Sequence, residues 1–315
     1  MIGEQLFLIL IFPGFLFVSI FGLATQFMDR KIYARLQNRV GPPWFQPLAD
    51  LIKLLAKEDI VPCDANRAMF TATPLFALTA VVSAFLYLPL WTPHSLYSFS
   101  GDIIVVLYLL TIPTLAFFIG GWYSTSLFAR LGSVRCLTQM FAYEVPLFMG
   151  ILSAAVLANT WSLADMVHFY GAHPWYWMFN IPGFAVALVA LLGKLEKVPF
   201  DIPEAETEIV AGVFTEYSGR LLAILKLTLD IEMVVGAALL ACVFFPFGME
   251  LGSSPLAFVV FVLKVLAIIA MLSLCRTIVA RLRIDQMINF CWKYLVPLAI
   301  LQLLLNLILK GVLTP

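Results

Sequence analysis

Residues 195–219, LEKVPFDIPEAETEIVAGVFTEYSG, place Glu196, Asp201, Glu204, Glu206, Glu208 and Glu216 together in a chain that is otherwise oily. Carboxylates this close titrate as a coupled set, and mutual repulsion or burial raises their pKa values, so the chemistry on offer is proton uptake and release. Pro199 and Pro203 interrupt any helix running through the stretch. An irregular segment is therefore expected, followed by a short helix beginning near Pro203 with Glu204, Glu206 and Glu208 in its first turn, where the helix dipole favours negative charge. A solvated acidic cap is the plain alternative. Against it, the stretch lies between apolar runs and holds few of the Ser, Asn or Lys residues that fill exposed loops.

A second set of ionisable residues sits inside the apolar runs themselves: Glu144, Asp230, Glu232 and Lys264. Charge in hydrocarbon is costly, and such residues mark ion pathways more often than they serve as ion pairs between helices. Glu144, in FAYEVPLFMG, could exchange a proton as its solvation changes. Lys226 and Asp230 are four apart and could pair on one helix face. Lys264, in the middle third of its run, needs a carboxylate or water.

The elements that must carry these groups follow from composition. With 62% hydrophobic residues, 12% charged and a mean hydropathy of +0.99, the chain carries far more apolar surface than a soluble domain needs. A bilayer core of roughly 30 Å takes about 20 helical residues. Apolar runs of that length lie near residues 5–27, 70–91, 102–123, 138–159, 178–194, 220–245, 255–275 and 288–310. The expectation is an all-α, polytopic integral membrane protein with about eight transmembrane helices, residues 1–315 forming one transmembrane domain. The first run lacks a basic leader and a small-residue cleavage site, so it reads as a permanent helix. Cys63, Cys136, Cys242, Cys275 and Cys291 show no CxxC spacing and suggest neither a disulfide framework nor a metal site. His94, His168 and His173 are given no ligand role.

Lys and Arg fall in alternate connections. Arg30, Lys31, Arg35, Arg39, Lys53, Lys57 and Arg67 occupy the first; Arg130 and Arg135 the third; Lys194, Lys197, Arg220 and Lys226 the fifth; Arg276, Arg281, Arg283 and Lys293 the seventh. By the positive-inside rule these connections face the cytoplasm and both termini lie outside. This topological role of the basic residues leaves no case for nucleic-acid binding. The even connections look like short, aromatic interfacial turns. In QPLADLIKLLAKEDIVP, apolar and charged residues alternate with helical rhythm, which fits a short amphipathic helix on the membrane surface.

Four stretches in order, DRKIYARLQNRVGPPWFQPLADLIKLLAKE, GWYSTSLFARLGSVRCLTQMFAYEVPL, PFDIPEAETEIVAG with EYSG, and ARLRIDQMINFCWKYLVPLAI, resemble the membrane subunit at the heel of respiratory complex I. That family, subunit 1 or H-type, includes the corresponding subunit of membrane-bound [NiFe] hydrogenases. The resemblance covers nearly the whole chain and implies a prokaryotic cell-membrane subunit that is not catalytic alone and carries no redox cofactor. Iron–sulfur clusters, and a NiFe centre, would belong to partners: peripheral large and small NiFe-hydrogenase-like subunits and an iron–sulfur subunit, beside antiporter-like membrane subunits in the lipid bilayer. It implies a proton path through Glu144, Glu204, Glu206, Glu208, Glu216, Asp230, Glu232 and Lys264. It implies an interface with the peripheral arm at Asp29, Arg30, Arg35, Arg39, Asp201, Arg281, Arg283 and Asp285, with residues 28–69 and 195–219 as the docking loops. Topology alone would equally explain Arg30, Arg35 and Arg39.

Departures bear on the branch. GPPWFQP stands where quinone-reducing members typically carry a longer GPNRVG-type insertion, and Lys194 replaces the acidic residue usual five positions before the Pro of PFD. EYSG resembles the hydrogenase branch, whereas Asp230 and Glu232 lie at an unexpected spacing from Lys226. The resemblance therefore implies a coupling subunit of a ferredoxin-linked, hydrogenase-type complex, with the quinone-site subunit of NADH:quinone oxidoreductase as runner-up. A stand-alone secondary transporter is the reading from another class; the absence of an internal repeat argues against it. A purely structural anchor would have little reason to keep Lys264 and Glu144 inside a bilayer.

Overall fold

A computed structural model describes residues 2–92, 95–173, 175–248 and 254–313; His94 lies outside them. The described residues contain no strand, and their helices run in order as α1 (Ile2–Leu10), α2 (Phe15–Leu36), α3 (Gln46–Leu55), α4 (Arg67–Leu86), α5 (Asp102–Tyr123), α6 (Leu127–Ala158), α7 (Leu163–Ala172), α8 (Ile181–Lys194), α9 (Glu206–Ile209), α10 (Gly219–Phe244), α11 (Pro255–Ile278), α12 (Ile284–Phe290) and α13 (Val296–Leu313). A π turn, Cys291–Leu295, joins α12 to α13. Among the described residues, eight helical stretches are long and apolar enough to cross a membrane.

Helix ends differ from the ends of the apolar runs. The helix of the first span reaches Leu36, carrying Asp29, Arg30 and Arg35, and α6 begins at Leu127, carrying Arg130 and Arg135. Hydropathy marks where hydrocarbon stops, whereas a helix continues as long as its backbone bonds are made and no breaker intervenes. The fourth connection is also more than a turn. It holds α7, capped by Ser162 accepting from the Asp165 amide, and the 3₁₀ turn Tyr176–Asn180. Asp102 buttresses that cap by accepting from the Leu163 amide at 2.7 Å. The amphipathic helix expected after the first span is α3, with Pro47 buried and Leu48, Ile52 and Leu55 outward.

At the centre stands α10, in which every residue from Asp230 to Phe244 is buried. It is enclosed by α2, α4, α8 and α11, while α6 packs against α5, α8 and α13. Small residues allow the close approaches, as in membrane bundles generally. A Cβ on Gly22 would lie 3.4 Å from the Asp230 backbone, and one on Gly150 would lie 3.0 Å from the Gly183 carbonyl oxygen.

The short helix after Pro203 begins later than the sequence suggests: α9 starts at Glu206, and Glu204 precedes it in a turn closed by the Ala205 amide donating to the Asp201 carbonyl at 3.2 Å. The reason is packing on the 3₁₀ turn Gly212–Phe214. Gly212, at φ +51°, brings its α-carbon so near the Pro203 carbonyl that no side chain fits there. That turn in turn rests on Gly132 of α6, where a Cβ would meet the Gly212 and Val213 backbone at 2.7–2.8 Å. Gly132→Ala should therefore push the acidic segment off α6 and destabilise the fold by about 1–3 kcal/mol, read as an earlier thermal midpoint in detergent.

Candidate functional site: a charged cavity and the groups behind it

The segment between α8 and α9 closes one side of a cavity of about 490 Å³ whose other walls are α2, α10 and α11. Five carboxylates (Asp29, Glu196, Asp201, Glu204, Asp230) face five cations (Arg30, Lys197, Lys226, Arg276, Arg281) around it. Asp29 is the anchor, 3% exposed, accepting from Lys197 at 2.7 Å, Ser273 at 2.6 Å and Arg276 at 3.3 Å. Arg276 also stacks 4.1 Å over the Tyr33 ring. Lys226 pairs with Glu204, Arg281 with Asp201 at 3.1 Å, and Arg30 with Asp50 at 3.0 Å. Burial outweighs the Arg281 charge and raises the Asp201 pKa. A second cavity of about 300 Å³ lies under α3 and shares Gln26, Arg30, Lys226 and Asp230 with the first.

Behind the cavity the groups are fully enclosed. Lys194 and Glu232 form an ion pair at 2.9 Å with side chains 2% and 0% exposed. The contact is off the hydrogen-bond angle, so both Glu232 oxygens lack an aligned donor; the Lys194 ammonium instead donates to the Leu110 carbonyl. Tyr143 presents its ring 5.8 Å from that ammonium and shares a 3.0 Å hydrogen bond with Thr114. Gln139 donates to the carbonyls of both Gly193 and Phe200 at 2.7 Å, tying α6 to the two ends of the turn between them.

That turn is a helix C-cap of unusual composition. The Lys197 amide donates to the Leu192 carbonyl and the Glu196 amide to the Gly193 carbonyl, both at 3.3 Å, which is the Schellman pattern that ends a helix on a left-handed residue. Glycine is favoured there; this chain has Glu196 at φ +50°, a conformation that disfavours a side chain by roughly 1–2 kcal/mol. The side chain so placed is 7% exposed, its Oε1 accepts from the Cys136 thiol at 3.1 Å, and its Oε2 has no partner. Burial pushes the Glu196 carboxyl up to about 8, with the negative charges of Glu204 and Glu232 adding to the effect.

This arrangement of helices and loop groups has known relatives. Residues 7–307 match the NADH dehydrogenase family. The chain belongs to that family. It is 35% identical over 319 residues to the H-type subunit of the NADH-quinone oxidoreductase of Syntrophotalea carbinolica, covering 96% of each chain. It is 33% identical over 303 residues to subunit 8 of the Thermus thermophilus enzyme, covering 90% of this chain and 83% of the relative. Among solved structures, a chain of an archaeal respiratory complex, the membrane-bound sulfane sulfur reductase, superposes with a TM-score of 0.82 at 25% identity, covering 92% of this chain and 96% of that one. The protein is thus a membrane subunit of a complex I-like respiratory complex, and redox cofactors in such complexes are carried by partner subunits.

Within this family member, the residues singled out from the sequence divide into groups. Asp29, Arg30, Asp201, Glu204, Asp230 and Arg281 meet at the cavity, and Glu232 lies behind it. Glu208 instead faces a shallow cleft with Arg135, Arg281, Arg283 and Asp285; Arg135, at 2.6 Å, lowers its pKa. The side chain of Glu206 lies outside the described ones. Glu144 and Glu216 are half-buried and do not line the cavity, and Arg35 and Arg39 lie away from it. Two expected partnerships are replaced. Lys226 reaches Glu204 rather than Asp230, because the loop carboxylate arrives at the open end of the lysine while Asp230 stays buried without a hydrogen-bond partner among the described residues. Lys264 donates to the Phe247 carbonyl and sits 4.7 Å over the Phe247 ring; it lies toward the end of the bundle opposite the cavity, where its long stem lets the ammonium reach a connection.

Sequence reasoning missed Lys194, Lys197 and Arg276, attributed to topology, together with Cys136 and Gln139; Glu196 was seen in the acidic cluster but not placed on the proton path. The available signal was position: Lys194 is the last residue of an apolar run, and one turn beyond it no glycine is present to end the helix. Lys194→Ala should destabilise by about 3–5 kcal/mol by stranding Glu232, while the double change Lys194→Met, Glu232→Leu should recover most of that in detergent melts. Because folded Glu196 keeps its proton up to about 8 while the unfolded carboxyl ionises near 4.5, its contribution declines as pH rises across that window. Thermal midpoints of the wild type should fall more steeply across that window than those of Glu196→Gln.

Proposed function

We propose that this chain is the membrane-anchor and coupling subunit of a ferredoxin-linked, membrane-bound hydrogenase-type complex, in which electron transfer in a docked peripheral arm drives proton or sodium translocation. The observation that carries the reading is the cavity lining, five carboxylates against five cations. A quinone with an isoprenoid tail calls for a mostly apolar pocket with few polar groups, and ten of the sixteen residues lining this one are ionisable. The likeness to the sulfane sulfur reductase chain supports the same branch. The curated relatives are subunits of NADH-quinone oxidoreductases, and they favour the second reading, a quinone-site subunit with its site in the cavity under α3.

In the proposed assembly, residues 28–69 and 195–219 face the cytoplasm and meet NiFe-hydrogenase-like large and small subunits and an iron–sulfur subunit. Those partners hold the clusters and the NiFe centre; antiporter-like subunits adjoin in the cell membrane, and both termini lie outside. The mechanism is electrostatic. A unit charge arriving about 10 Å from a cavity carboxylate, at an effective dielectric of about 20, changes its energy by about 1.7 kcal/mol, a little over one pKa unit. That is enough to shift protonation among Asp201, Glu204 and the groups behind them. The intact complex, purified in mild detergent, should evolve H₂ from reduced ferredoxin and leave a soluble quinone analogue unreduced. Quinone reduction without H₂ evolution would assign the chain to the second reading.

A further inference from the structure

Two sets of charges lie side by side in this protein: the cavity pairs, reachable from the loop end of the bundle, and the Lys194–Glu232 pair, enclosed on all sides. One side chain belongs to both environments. Glu196 lines the cavity, yet it is buried, hydrogen-bonded to Cys136 of α6, and near enough to Glu232 to feel its charge. Its backbone occupies the one position of the α8 C-cap where a glycine would fit without strain. A strained residue that persists with a functional side chain points to a role for that side chain. Its buried Oε2 is left without a donor.

We infer that Glu196 is the proton-transfer group that joins the charged cavity to the Lys194–Glu232 pair, with Cys136 as the positioning residue that holds its carboxyl. The inference rests on the coupling role proposed above. In the transfer, the protonated Glu196 carboxyl gives its proton to a Glu232 carboxylate oxygen, and the Glu196 anion so formed takes up a proton arriving from the cavity, which restores the acid. Lys194 keeps its proton throughout and is released from its ion pair while Glu232 is neutral. The charged and titratable groups that act on Glu196 are Cys136 and Tyr143 from α6, Glu204 from its own segment, and Lys226 and Glu232 from α10, with Lys194 of α8 next to them, paired with Glu232. The thiol donates to Oε1, which leaves Oε2 as the atom that exchanges the proton.

The test uses the assembled complex in proteoliposomes, with electron transfer and internal acidification measured together on the wild type, Glu196→Gln, Glu196→Gly, Glu196→Asp and Cys136→Ala. Glu196→Gly suits the left-handed turn and removes the carboxyl, so a loss there cannot be a folding effect of strain. The ion-to-electron ratio is expected to fall by roughly tenfold or more in Glu196→Gln and Glu196→Gly, to recover in Glu196→Asp, and in Cys136→Ala to persist with a displaced pH profile. A coupled wild type with an equally coupled Glu196→Gly overturns this route alone; a wild type that moves no ion overturns the coupling reading and the route with it. If the Glu196 variants fail to assemble, infrared spectra of the wild type and Cys136→Ala decide. A protonated-carboxyl stretch at neutral pH that rises in frequency without the thiol supports the route, and its absence from the wild type overturns it.

Discussion

A cation and an anion that cannot reach water must stay together, and the Lys194–Glu232 pair imposes that condition on the whole bundle. Glu232 sits in the most enclosed stretch of α10, so its partner has to come from a helix packed directly against it, and α8 supplies one in its last turn. Ending α8 there commits the chain to a tight reversal, and the reversal delivers Glu196 and Lys197 to the cavity. Lys197 then reaches Asp29, which also holds Arg276 of α11 and Ser273. Four helices and one loop are thereby registered by ionic contacts between groups that could not be left single.

The spans were legible because hydrocarbon thickness is a strong, one-dimensional constraint, and each apolar run found its helix. Helix ends were less so: nothing in hydropathy says that Arg130 and Arg135 continue α6 or that Asp29 rides on α2, since backbone bonding outlasts the membrane. The candidate site was half legible. Asp201, Glu204, Asp230 and Arg281 were visible as charges near proline-broken or apolar sequence. Lys226 illustrates what was not. A helical i, i+4 rule proposes Asp230, but the loop carboxylate Glu204, remote in sequence, wins by geometry that only the tertiary fold creates. Lys194 was hidden for a related reason, because a basic residue at the end of a span also satisfies the positive-inside rule. Two explanations of one residue cannot be separated until its neighbour is known.

Lys264 marks the opposite case, an intramembrane charge that suggested a pathway and found a backbone carbonyl instead. Its stem lets the ammonium, still buried, reach a carbonyl in the connection before α11, whereas the shorter Glu232 side chain is met where it stands by Lys194. Depth in the bundle and side-chain length therefore decide between pairing and snorkelling more directly than sequence position in a span does.

The balance of charge in the cavity has a consequence of its own. Five acids face five cations in the cavity, and the pairs at Asp201–Arg281 and Glu204–Lys226 are partly exposed, so each contributes little. An added negative charge at the mouth leaves one carboxylate in excess. Moving a lysine or arginine to meet it strands another acid, because each cation is already engaged. Protonating a carboxylate restores the balance without breaking a pair, and Glu196, which burial keeps in the acid form, can pass its proton inward and be recharged from the cavity. Because each cavity cation already has a carboxylate partner, proton uptake, rather than side-chain rearrangement, is the least costly response of this site to charge.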